Sequence, residues 1–121
     1  MKVAGFGFRK GAHVDSLIAA LEAAGGGAGV TSVATVVDKA DAAAFQALAE
    51  RLGLPIDAVP VDALPWVAVE TQSEKSKAMY GTGSLSEAVA LIAAGPSARL
   101  LAARAISPDT MATCAIAKVG S

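Results

Sequence analysis

The stretch Val3-Ala4-Gly5-Phe6-Gly7-Phe8-Arg9-Lys10-Gly11-Ala12 decides the fold. It opens as an apolar β-type segment, turns through a glycine loop and runs into a helical pattern. Val14, Leu17, Ile18 and Leu21 then stand at i, i+3, i+4 and i+7, one face of a helix. Glycine has no Cβ, so at Gly5, Gly7 and Gly11 the backbone can turn sharply and approach a ligand closely. The N–H groups opening the helix have no partners within it and carry partial positive charge, which suits an anion. Arg9 and Lys10 add two formal cations at the same place. The stretch reads either as a site for carboxylates or phosphates, or as a strand-to-helix turn with two solvated cations.

Working outward, Gly25-Gly26-Gly27 stops the first helix, and Val33-Ala34-Thr35-Val36-Val37 reads as a buried strand. Asp41 is placed to N-cap a second helix whose apolar face is Phe45, Leu48 and Leu52, ended by Gly53. Strand, helix, strand, helix at this spacing implies parallel strands joined by a crossover. Prolines at 55, 60 and 65 keep the next elements short: an extended piece at 56–59, one helical turn around 62–64 and a brief strand at 67–69. Ser73 caps a short helix through Tyr80, closed by Gly81.

A second glycine-rich helix start follows in Gly81-Thr82-Gly83-Ser84, with Ser84 and Glu87 spaced as a reciprocal capping box. Leu85, Val89 and Ile92 face inward, and Gly95-Pro96 ends the helix. Two strand-like runs, 99–103 and 113–119, joined through Ser107-Pro108-Asp109, read as an antiparallel hairpin at the sheet edge. The expected fold is a single three-layer α/β domain over residues 1–121. Its sheet is mixed and mostly parallel, with helices on both faces and a C-terminal β-hairpin.

At 121 residues the chain is long enough to bury about two-thirds of its unfolded surface without disulfides or a structural metal. Ten Lys and Arg against eleven Asp and Glu argue against a nucleic-acid binder that relies on bulk charge. Recognition of an anion therefore depends on where individual cations sit. The single cysteine, Cys114, lies in a strand-like run and reads as a buried thiol rather than a disulfide partner or nucleophile. No leader pattern and no membrane-length apolar run are visible, so a cytoplasmic location is expected, with no membrane partner.

In an open α/β sheet, ligands sit beyond the carboxyl ends of the parallel strands. That rim receives Arg9 and Lys10 from the first strand, Asp38 and Lys39 from the second, and in this reading the helix start at Gly81, Thr82, Gly83 and Ser84. Lys75 and Lys77 just upstream read as solvated. The candidate ligand-binding set is thus Gly5, Gly7, Arg9, Lys10, Gly11, Lys39, Gly81, Thr82, Gly83 and Ser84. A dinucleotide fingerprint is a poor match, because its third glycine falls on Lys10 and there is no room for a second mononucleotide half. His13 is the only histidine, so a multi-histidine metal site is excluded. No G-x-S-x-G nucleophile elbow is present. No catalytic residue is assigned and no cofactor is expected.

The blocks Gly5-Phe6-Gly7-Phe8-Arg9-Lys10-Gly11, Ala34-Thr35-Val36-Val37-Asp38-Lys39-Ala40-Asp41 and Gly81-Thr82-Gly83-Ser84-Leu85-Ser86-Glu87-Ala88 resemble the CobE/CbiG C-terminal family of cobalamin-biosynthesis proteins. Gly95-Pro96-Ser97-Ala98-Arg99-Leu100 and Ala112-Thr113-Cys114-Ala115-Ile116-Ala117 extend that similarity to nearly the whole chain. The resemblance implies a role in corrin-ring synthesis, with a precorrin or hydrogenobyrinic acid intermediate as partner. The carboxylates of such a ring would meet the helix N-termini and the cations, and its face would rest on residues such as Phe6, Phe8, Met79 or Tyr80. CbiG opens a δ-lactone on a cobalt-precorrin and releases acetaldehyde. Relative to it, this chain is expected to lack the additional N-terminal region, and it carries Arg104 where a lysine is usual and Leu85 where a valine is usual. The resemblance therefore implies a binding or carrier role first and δ-lactone hydrolysis as the alternative. Other corrin-pathway enzymes are further expected partners, and the chain is expected to be a monomer or a homodimer.

Overall fold

A computed structural model describes residues 1–120. Six strands form one sheet: β1 (Lys2–Phe8), β2 (Val30–Val36), β3 (Ile56–Val59), β4 (Arg99–Leu100), β5 (Ala105–Ile106) and β6 (Ala112–Lys118). The order is β3-β2-β1-β6-β4, with β5 also paired to β6. The β1–β2 and β2–β3 ladders are parallel, and β6 runs antiparallel to β1, β4 and β5. Five strands therefore share one direction and only β6 is reversed.

Side-chain alternation in β1 sorts the two faces of the sheet. Ala4 and Phe6 pack with α1 (Val14–Ala23) and α3 (Ala43–Leu52), whereas Val3 packs with α5 (Leu85–Ala94) and the 3-10 turn Val61–Trp66. On the first face Phe6 meets Phe45 edge-on at 5.9 Å and Phe8 stacks on Phe45 at 5.8 Å. On the other face α5 is buried continuously from Leu85 to Ala90, because its small residues lie directly on the sheet.

Glycines explain that close approach. A Cβ on Gly5 would stand 2.3 Å from the Ser86 carbonyl oxygen and 2.7 Å from the Ala90 nitrogen. One on Gly7 would stand 2.9 Å from Thr113 Oγ1. Gly5 and Gly7 are therefore residues of β1 and not of a loop: Gly5 seats α5, and Gly7 leaves room for the Thr113 side chain on β6. Only Gly11, at φ +87, lies in the turn beyond the strand.

Other local expectations are also corrected. Val37 leaves β2 and opens a helical turn, α2 (Val37–Ala40), whose C-cap is Asp41. The N-cap of α3 is Ala42, without a side-chain bond. Gln46 Nε2 instead donates to the Ala40 carbonyl at 2.7 Å, tying the two helices together. Residues 67–69 are not a strand; they follow the 3-10 turn as irregular chain beside the prolines. The terminal hairpin forms, but its first arm is split into β4 and β5 by residues 101–104. At the far end of β1, the Val119 N–H donates to the Met1 carbonyl at 2.9 Å and the Met1 ammonium donates to the Val119 carbonyl at 3.3 Å. No helix among the described residues is long and apolar enough to cross a membrane.

Candidate functional site

A cleft of about 710 Å³ opens where β1 ends and β6 begins. Gly7, Phe8, Arg9 and Lys10 form one side, and Thr110 to Thr113 the adjoining one. Helix α4 (Glu74–Tyr80) supplies a wall through Ser76, Met79 and Tyr80, and Leu85 and Ile106 complete the apolar lining. The local sequence places α4 firmly: Ser73 Oγ accepts the Ser76 N–H, and Gly81 closes the helix at φ +73.

Charge is sorted unevenly. Arg9, Lys10, Lys39, Lys75 and Arg104 line the cleft, five of the chain's ten basic residues, and no carboxylate lines it. Among the described residues the ion pairs join His13, Arg51 and Lys77 to acids, and none involves these five. Lys39 is fixed differently. Its Nζ donates to the Phe8 carbonyl at 2.7 Å and lies 5.0 Å from the centre of the Phe8 ring, a cation–π arrangement. The half-buried lysine thus stays at the rim without a carboxylate partner among the described residues.

The segments that carry these cations are joined by backbone and carboxylate bonds. Arg9 N donates to the Met111 carbonyl at 2.9 Å, linking the first loop to the hairpin turn. Glu87, fully buried at the start of α5, accepts from Glu70 N at 2.8 Å, Thr71 N at 3.0 Å, Thr71 Oγ1 at 2.5 Å and Arg104 N at 2.8 Å. Burial pushes its carboxyl up, but the Thr71 hydroxyl and the Thr71, Arg104 and Glu70 amides outweigh burial and hold it below its ordinary range. Half of the expected capping box is present: Ser84 Oγ accepts the Glu87 N–H at 3.3 Å. The Glu87 side chain does not reach back to Ser84; it ties the chain before α4 to the strand interruption at 101–104.

The candidate residues therefore fall into two groups. Gly7, Arg9, Lys10 and Lys39 meet at the cleft. Gly11 sits exposed in the adjoining turn, and Gly5 lies beneath α5. Thr82, Gly83 and Ser84 are buried, and a Cβ on Gly83 would stand 2.4 Å from the Thr71 carbonyl oxygen. Thr82, Gly83 and Ser84 consequently pack inside the protein, and Gly81, although exposed, lies outside the cleft lining. His13 Nδ1 accepts the Asp15 N–H and caps α1, whose start is likewise not part of the lining. Of the two helix starts expected at the rim, α1 does not reach it and α5 contributes only Leu85; side-chain cations supply the positive charge there. Phe8, Met79 and Tyr80 line the cleft, whereas Phe6 is core.

Sequence reading passes over Lys75 and Arg104 as site residues. Lys75 looks like any surface lysine until α4 folds against the strand ends, and Arg104, just past the 99–103 run, carries no site signal until Glu87 captures its N–H. No cluster of three or more His, Cys, Asp or Glu able to hold a metal occurs among the described residues. The cleft combines an apolar lining with cations at its margin.

The family model described as cobalamin synthesis G C-terminus matches residues 2–117. The crystal structure of CobE, a protein from the cobalamin (vitamin B12) biosynthetic pathway, is similar with a TM-score of 0.87 and 27% identity, over 99% of this chain and 91% of that one. The cobalamin biosynthesis protein chiG from Agrobacterium tumefaciens str. C58 is similar with a TM-score of 0.75 and 39% identity, over 100% of both chains. No curated protein matches the chain. Matched over residues 2–117 by this family model and over nearly their full length by these two structures, the chain belongs to the CobE/CbiG C-terminal family of cobalamin-biosynthesis proteins.

Proposed function

We propose that the chain binds and carries a polycarboxylated corrin-pathway intermediate, a precorrin or a hydrogenobyrinic acid-type ring, in the cleft at the end of β1. One observation carries this reading: a protein of net charge -1 places five cations and no carboxylate around a single cleft with an apolar floor. Like charges left unpaired at a common rim repel each other, and an anion bearing several carboxylates relieves that repulsion. Phe8, Met79, Tyr80 and Leu85 offer the ring a surface on which to stack.

Titration with hydrogenobyrinic acid, followed by visible absorption and by mass spectrometry of the recovered pigment, tests the reading. A one-to-one complex with a shifted spectrum and unaltered pigment is expected. The combined variant K10A/K39A/R104A removes three rim cations while leaving the Arg104 backbone bond to Glu87 in place. At up to about 1 kcal/mol for each exposed ion pair, its affinity should fall by about 2 kcal/mol, or roughly thirty-fold. Absence of binding, or an unchanged affinity in the triple variant, overturns the proposal. Acetaldehyde release from a lactone-bearing precorrin would replace it with the hydrolase reading.

A further inference from the structure

Thr110 stands at φ +61, whereas the eight other residues in left-handed conformations are all glycines. A β-branched residue is the least suited to that region, because its Cβ substituents crowd the backbone. The surrounding turn would accept glycine readily. Ser107 to Thr110 is a β-turn closed by the Thr110 N–H on the Ser107 carbonyl at 2.8 Å, with Pro108 at its second position. Glycine is the residue favoured at the last position of the commonest such turn.

The turn does not depend on the threonine side chain. Asp109 Oδ1 accepts Ser107 Oγ at 2.6 Å and Met111 N at 3.1 Å, while Oδ2 accepts the Ser16 hydroxyl. These bonds, the Ser107 hydroxyl first, hold the Asp109 carboxyl below its ordinary range. They also engage its charge outside the cleft lining. Thr110 takes no side-chain part in this network, is exposed, and lines the cleft beside Met111, whose carbonyl holds Arg9 N.

We infer that the Thr110 hydroxyl is a specificity-determining contact of the cleft, donating to a carboxylate side arm of the bound ring from the rim shared with Arg9 and Lys10. The inference rests on the cleft-binding reading above. Backbone strain kept by a neighbouring network, at a residue whose side chain supports no part of the fold, marks a position retained for a contact with something else.

Thr110→Gly and Thr110→Ser separate the two roles. Glycine should relieve the strain and raise the melting temperature by about 2–4 °C, while weakening hydrogenobyrinic acid binding by about tenfold or more, as expected for a lost hydrogen bond to a charged group. Serine keeps the hydroxyl and should stay within about threefold of the wild-type affinity. A Thr110→Gly protein that is stabilised and binds as wild type overturns the inference and leaves the cleft reading standing. So does a Thr110→Gly protein that melts lower, because the position is then not strained. Failure of the wild-type protein to bind the ring removes both.

Discussion

Replacing Glu87 by Gln tests how the cleft is held together. The carboxylate accepts four hydrogen bonds with both oxygens occupied. A glutamine amide is almost the same shape, and its carbonyl can keep the Glu70 and Thr71 N–H groups. Its NH₂ then faces the Arg104 N–H, donor against donor, while the Thr71 hydroxyl can rotate to accept. One buried donor loses its partner and the retained bonds lose their charge assistance, a combined cost of about 3 kcal/mol. For a domain of this length, that lowers the melting temperature by about 10 °C. The effect has a definite pH signature. A carboxyl whose folded pKa is depressed contributes stability that is present above its unfolded pKa, about 4.3, and is lost as pH falls through the folded value. Urea unfolding of both proteins at neutral and acid pH should therefore show a wide gap that closes on acidification. A Gln variant within about 0.5 kcal/mol of wild type at pH 7, or a gap that does not change with pH, would refute the assignment of Glu87 as the tie between these segments.

Gly5→Ala should cost about 3 kcal/mol or more, because α5 must move away from the sheet to admit a methyl group; Gly53→Ala, at φ +68 with open space around it, should cost only about 1 kcal/mol. Denaturant midpoints compare the two. Cys114 is buried and its thiol is pushed far up by burial, so alkylating reagents should leave the native protein unlabelled and label it fully in denaturant, as read by intact mass. Binding of a polycarboxylated ring should weaken steadily between 50 and 500 mM salt, as measured by absorption titration, because exposed cations are screened over about a Debye length.

Elements defined by their own residues are legible in the sequence. Ser73 with Gly81, and Ser84 with Gly95, mark the ends of α4 and α5, and the Phe45–Leu48 face marks α3. Features that depend on distant partners are not. Glu87 resembles a capping-box residue because the sequence shows Ser84 three positions away, while its actual partners lie 16 and 17 residues off. Gly5 resembles part of a ligand loop because the pattern cannot show a helix lying on the strand. Asp41 is a good cap by type, but Val37 turns the chain earlier, and the cap position falls on Ala42. The same holds for the cleft. Arg9, Lys10 and Lys39 follow from strand ends, whereas Lys75 and Arg104 join them only through the packing of α4 and the break between β4 and β5.

The reciprocal bonds between Met1 and Val119 bring the two ends of the described chain together at the foot of the sheet. Seven residues of β1 separate that junction from Arg9, a distance of about 23 Å at the usual strand rise. A circular permutant with a short glycine-serine bridge between these ends, and new ends opened at Gly26, should therefore fold with the cleft mouth intact. Fluorophores or fusion partners attached at the old junction would likewise ride at the opposite pole and leave access to that mouth unobstructed.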